Sequence, residues 1–325
     1  MSSIESISSK TILTIINSNK PPVPISKEHV ILLRFIILLH NRTLYSAEEF
    51  DEISNKLLQN ILSKDSRFSE TLNSTKIVSD NPTLIPLQVA EELLPIAFDL
   101  KYKLLLNNTE NNFITSDNPV IFYNQFLKKR KAFGGIAGLG VKGLEILFPI
   151  SPRHYIIFYD GDIYRVGESN DSIVVITEKK DVNALNILQY LNARENLYFN
   201  HSIEESVIKQ IITKSKRFRR QKKATVNEYP SHVDDEGKSH SILHIYSEDI
   251  KLNFNLSFIT EQPKASQYQL GDLATHLRNK EIFDLLEKYK QLVHEGIYKP
   301  GSFQEFLRAE AMFHMIINIS REQIR

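Results

Sequence analysis

Apolar residues repeat with two different periods along this chain, and the change of period divides it. From Lys27 to Arg42 (KEHVILLRFIILLHNR) nearly every face is apolar over a length too great for a strand, which predicts a central helix. Ser26 is placed to cap it, and Glu28 lies in its first turn, where a carboxylate complements the helix dipole. Its end is polar: His40, Asn41, Arg42 and Thr43. Residues 46–80 read as polar, partly helical surface; a helical period then resumes from about Leu87 to Lys101, with Pro95 expected to kink or split it. NNTENN supplies a turn. From Phe113 the pattern becomes that of strands: FITSDNPVIFY, GLEILFPI and RHYIIFYDGDIYRVG, the last carrying Asp160-Gly161 as a hairpin signal.

Helical signals return with VNALNILQYLNAREN, where Asp181 is the expected cap, and with SIEESVIKQIITKSKRFRRQ, opened by a capping box of Ser202 and Glu205. PSHVDDEGKSH reads as a linker or exposed loop. Beyond it Ile250, Leu252, Phe254, Leu256 and Phe258 alternate with polar residues as in a half-buried strand, and EIFDLLEKYKQLVHEG and FQEFLRAEAMFHMIINI read as helices. Helices before and after a contiguous strand block predict an α+β fold with a mainly antiparallel central sheet. The expected division is a core over 1–230 and a strand-and-helix extension over 231–325 packed on it.

Composition narrows the chemistry. At 325 residues and 42% hydrophobic content the chain can bury one large core or two modest ones. Forty basic residues against 39 acidic ones leave a net charge of +1, so an anionic partner must be met by a local patch. With no cysteine, disulfides, thiolate metal sites and cysteine nucleophiles are excluded. No basic leader with an apolar stretch and cleavage site opens the chain, and the apolar run Val30–Leu39 is interrupted by Arg34 and far shorter than the roughly 20 residues a bilayer requires. The expectation is a cytoplasmic protein with no membrane partner.

Thr115-Ser116-Asp117-Asn118-Pro119 is the first candidate for chemistry. Asn118 is pushed to extended geometry by the following proline, and Ser116 and Asp117 readily bond nearby backbone, which alone makes a bend. The functional reading makes Asp117 a general base or a ligand for a divalent metal such as Mg²⁺, with Ser116 and Asn118 orienting a substrate. A catalytic Ser116 would need a partnered base, and no GxSxG surrounds it. Gly138-x-Gly140-x-x-Gly143 matches a dinucleotide fingerprint only as a string, because a strand and not a helix follows. A loop that closes over an anionic substrate, flanked by Lys129 and Arg130, is the better reading of this glycine cluster. KSKRFRRQKK places seven basic residues in ten, among them Arg217, Arg219 and Arg220; it complements a helix C-terminus or tracks a phosphate backbone. His240 and His244 lie on a predicted strand, which removes the helical spacing of a zinc pair.

FITSDNPV, followed some thirty residues later by LFPISPRH, resembles the bacterial domain-of-unknown-function family 4238, whose members carry Thr-Ser-Asp-x-Pro and then a Pro-Leu-Ser-Pro-like strand. The helix ending Asn41-Arg42-Thr43 and the later helix VNALNILQYLNAREN also fit, over roughly residues 5–215. The family's His-His-x-x-Pro-x-x-Tyr-Leu segment has no match here. The resemblance implies a shared pocket containing Asp117 and Arg42, with Asn41 beside it, and no defined reaction. Two functional expectations follow. One is a binding or regulatory module, such as a component of a defence or toxin-like system acting with a protein partner. The other is a hydrolase, for example a metal-dependent nuclease, acting on a phosphate-bearing substrate such as nucleic acid.

Overall fold

The computed structural model describes residues 2–24, 26–64, 67, 81–132, 134–220, 224–233, 237, 239–269, 277–299, 302–303 and 305–311. It opens with a helix the hydrophobic pattern does not set apart, α1 (Ser2–Ser18), whose Ile15 is buried against the next helix. That helix, α2 (Lys27–Asn41), starts where the sequence predicts: the Ser26 hydroxyl accepts the His29 N–H at 3.2 Å. Thr43 caps α3 (Leu44–Leu62) through the Ser46 N–H at 3.2 Å. The following helical period is cut by Pro95 into α4 (Leu84–Leu93) and a 3-10 turn over Leu94–Ala97.

Helix does not continue to Lys101. Lys101–Asn107 is strand β1, at the interior of the main sheet. Its KYKLLLN run hides strand periodicity because both Leu104 and Leu105 are fully buried, one on each face. The other strands of the sheet are β3 (Ile121–Tyr123), which the short helix α5 (Gln125–Lys129) follows, β4 (Glu145–Ser151), β5 (His154–Tyr159) and β7 (Ile173–Ile176). The order is β3-β4-β5-β1-β7, antiparallel except for the parallel β1–β7 pair. The fold is therefore α+β, with a mainly antiparallel sheet. A two-residue strand, β2 (Thr115–Ser116), pairs separately with β8 (Leu197–Tyr198).

Alternation along β4 and β5 builds two cores. Ile146, Phe148, Ile156 and Phe158 pack with Leu32, Leu33, Ile36 and Ile37 of α2. Leu147, Tyr155, Ile157 and Tyr159 face the opposite layer, α6 (Lys179–Asn192) and α7 (Glu205–Ser215), through Val182, Leu185, Leu188, Ile208 and Ile211. A third cluster joins Ile96 to Leu286 and Tyr289 of α8 (Lys280–His294) and to Phe303 and Phe306. No single helix among the described residues is long and apolar enough to cross a membrane.

Four local expectations change. Asp160-Gly161 does not close a hairpin: β6 (Tyr164–Val166) pairs with β11 (Ile259–Glu261) and not with β5. The Asp160 carboxylate accepts N–H bonds from Gly143 at 2.8 Å and Asp162 at 2.9 Å, which turns the chain off the sheet. Residues 250–258 keep the predicted alternation, with Ile250 and Leu256 buried, but have no partner strand among the described residues. Side chains hold them instead: the Tyr123 hydroxyl accepts the Phe254 N–H at 2.9 Å and donates to the Leu252 carbonyl at 3.1 Å. Period two reports extended backbone with one face inward, whatever supplies the hydrogen bonds. Asp181 is not a cap, because α6 begins at Lys179; its carboxylate binds the N–H and hydroxyl of Ser257. Nor do Ser202 and Glu205 form a capping box, since Ser202 bonds Asn200 and Asn112 in the loop before α7.

The expected linker begins as strand. β9 (Ala224–Val233) pairs with β10 (Ser239–Ser247), and the boundary between 230 and 231 falls inside β9; residues 234–236 and 238 lie outside the described ones. Gly143, at φ +78°, marks a point where a side chain is not tolerated, as an added Cβ would lie 2.9 Å from Asn124 Oδ1 and 3.0 Å from Phe126 Cβ. Gly143→Ala is expected to lower stability by about 2–3 kcal/mol in urea unfolding, and a loss below about 0.5 kcal/mol would contradict the packing described.

Candidate functional site

The Thr-Ser-Asp-Asn-Pro turn is folded onto the C-terminal end of α6. Asp117 Oδ1 accepts the Arg194 N–H at 2.8 Å; Oδ2 accepts those of Glu195 and Asn196, both at 2.9 Å, and the Asn196 side-chain amide at 3.3 Å. Burial alone pushes this carboxyl upward, but the N–H donors outweigh it and hold Asp117 below the usual aspartate range. Ser116 is buried, accepting from Gln189 Nε2 at 2.6 Å and from the Asn118 N–H at 3.1 Å. The Asn118 amide donates to the Asn192 carbonyl at 3.0 Å, while its Oδ1 is buried without a partner among the described residues. The turn, α6 and loop 193–196 thus form one polar clasp.

The other sequence-derived candidates do not gather there. Asn41 bonds back to the Ile37 carbonyl of its own helix at 2.9 Å, and Arg42 is paired with Glu5 of α1. Lys129 and Arg130 both reach Glu261, at 3.5 and 3.1 Å. Arg217 lies over the Phe218 ring at 4.6 Å. Arg219 turns inward and donates to the carbonyls of Ala193 at 2.5 Å and Arg194 at 2.8 Å, so it braces from the other side the loop that Asp117 holds by its N–H groups. Arg220 lies 5.4 Å above the Tyr45 ring; Lys222 and Lys223 lie outside the described residues. The glycine segment is pinned: Gly140 accepts the Arg278 N–H at 2.8 Å, and Asn124 donates to the carbonyls of Ile136 and Lys142 at 2.7 and 2.8 Å. Among the described residues no group of three or more His, Asp or Glu is placed to hold a metal ion.

What the two family-like segments share is a groove of about 300 Å³. Phe113, Ile114 and Thr115 form one wall, Pro149 to Pro152 another, and Tyr198, Phe199 and Asn200 the third. At its edge Ser151 and His154 face each other as a register pair across the two-residue turn between β4 and β5. Ser151 Oγ lies 2.7 Å from His154 Nδ1, and His154 Nε2 lies 2.6 Å from Asn19 Oδ1. Oγ also accepts the N–H groups of Arg153 at 3.1 Å and His154 at 3.0 Å. Its own proton is therefore directed to Nδ1, which assigns the imidazole proton to Nε2, donated to Asn19. Burial lowers the His154 pKa, so the ring is a neutral base at pH 7. Asn19 has φ +52°, a left-handed conformation at the end of α1.

This hydroxyl, base and orienting amide is the arrangement Ser116 lacks. The signal for Ser151 and His154 was their spacing of three across a predicted strand end; Asn19, 135 positions away from His154, had none. No curated protein and no solved structure matches the chain. A match to the family described as Protein of unknown function (DUF4238) spans residues 1–202, which contain the main sheet, the clasp and the Ser151 groove, and the chain belongs to that family.

Proposed function

We propose that the chain is a hydrolase that uses Ser151 as nucleophile on a small ester with an apolar acyl group. The carrying observation is the Ser151–His154–Asn19 chain of contacts, at 2.7 and 2.6 Å, opening on a groove with mostly apolar walls. Ser151 Oγ attacks the carbonyl carbon and passes its proton to His154 Nδ1. His154 returns that proton to the leaving alcohol as the ester C–O bond breaks, and water then cleaves the acyl-serine by the same route. Asn19 is a positioning residue that holds the tautomer, and Asn200 brings to the groove a side-chain amide able to donate to the developing oxyanion. An acyl group suits these walls better than a phosphate, because the groove lining contains no lysine or arginine.

The test is covalent labelling by a fluorophosphonate together with hydrolysis of p-nitrophenyl butyrate. The wild type is expected to be labelled at Ser151, Ser151→Ala to be unlabelled, and His154→Gln to react about 100-fold more slowly. Because the base must be neutral, the wild-type rate is expected to rise with pH through a midpoint below the ordinary histidine value of about 6.5 and then level off. Folded wild-type protein that neither labels nor hydrolyses would reduce Ser151 to the residue that closes a tight turn.

A further inference from the structure

A second cavity, of about 270 Å³, is built from parts of the chain on both sides of residue 202. His40 and Tyr45 from the ends of α2 and α3 and Gly135 from the glycine segment form one side; Arg220, Glu248 and Asp249 form the other. The family match contributes the first set, and the C-terminal region closes over it.

The polar groups of this cavity are unequally satisfied. Asp249 accepts the backbone N–H groups of Gly135 and Ile136, so the glycine loop serves a carboxylate of the chain itself. Lys128 and Arg220 both add favourable charge to it, and Glu248 is paired with Lys251 at 3.1 Å. Glu49, on the same wall, is also engaged within the chain. His40 stacks on Phe122 at 4.1 Å, bonds the Val120 carbonyl through Nδ1 at 3.3 Å, and is held neutral by burial, which lowers its pKa to about 4. Arg220 reaches the Tyr45 hydroxyl and lends its charge to Asp249, yet among the described residues its Nε and the Tyr45 O–H are buried without an acceptor. A buried donor left unpaired is costly, the more so when charged, so an acceptor that entered would recover that cost.

We infer that this cavity binds a small oxyanion, the carboxylate or phosphate group of a small molecule, held by Arg220 and the Tyr45 hydroxyl. The acids of the wall, already partnered, then face the body of the ligand and favour one rich in hydrogen-bond donors. A cavity of this volume is at the small end for ligand sites, which restricts the occupant to a small metabolite and excludes a nucleic acid strand. The inference stands apart from the Ser151 reading and survives its failure.

Thermal melting of the full chain tests it with inorganic phosphate and with acetate, each against sodium chloride at equal ionic strength. One of the two anions is expected to raise the wild-type midpoint by about 2 °C or more beyond chloride, and which one does so identifies the group. Tyr45→Phe keeps the ring and its packing and so preserves the fold; it and Arg220→Gln are each expected to retain less than a third of the rise. Ser151→Ala is expected to retain all of it. The inference is overturned if both anions behave as chloride does, or if Tyr45→Phe and Arg220→Gln respond like the wild type.

Discussion

Asp117→Ala is expected to lower the stability of the protein by about 3 kcal/mol, because it leaves the N–H groups of Arg194, Glu195 and Asn196 without their charged acceptor. Asp117→Asn is expected to be nearly as damaging, since an amide that accepts at one atom presents donors at the other to N–H groups. The effect has a pH signature. The folded pKa of Asp117 lies below its unfolded value of about 3.9, so its contribution is complete above that value and is lost as the pH falls through the lowered folded pKa. Urea midpoints of wild type and Asp117→Ala should therefore differ most at neutral pH and converge in acid. A neutral-pH difference below about 0.5 kcal/mol would show that the clasp is not holding loop 193–196.

Raising the pH from about 6.5 to 8.5 is expected to destabilise the wild type, and Glu145→Gln to remove most of that slope. Glu145 is fully buried on β4, and burial pushes its carboxyl up to about 8 although the backbone and side-chain N–H groups of Gln125 donate to it at 3.1 and 2.9 Å. Its folded pKa exceeds the unfolded value of about 4.3, so stability is complete below that value and declines as the pH climbs to the folded one. The total is on the order of a few kcal/mol. His40 acts oppositely: held at about 4, it makes stability rise between about 4 and 6.5, which is why the upper window is decisive. Parallel pH curves for wild type and Glu145→Gln would rule out Glu145 as the source.

Each reading that came directly from the sequence depended on neighbours within a few residues. The Ser26 cap, the split at Pro95 and the apolar-aromatic runs of β4 and β5 are local, because the bonding atoms or the strand preference are set by adjacent positions. Even residues 250–258, with no partner strand among the described residues, obey the local rule of alternate burial. β1 escaped it because its KYKLLLN run is made of leucine and lysine, which suit a helix, and lacks the β-branched and aromatic residues that mark β4 and β5. Asp160-Gly161 misled because the Asp160 carboxylate found the Gly143 N–H, 17 positions earlier, in place of a hairpin partner.

The candidate sites divide the same way. Asp117 stood out as a polar residue in a bend, but its donors lie 77 to 79 positions away, and they make it a clasp. Ser151 and His154 were in view as part of LFPISPRH, and only the closure of the hairpin and the arrival of Asn19 from α1 place a base and an orienting amide beside the hydroxyl. By itself the sequence determined the α+β class with a mainly antiparallel sheet, the strand runs of β4 and β5, the Ser26 cap of α2 and the family, since these rest on periodicity and short motifs. The tertiary structure decided which strands neighbour β1, which carboxylate is a clasp and which serine meets a base, because those contacts join positions far apart in the chain whose pairing no local period encodes.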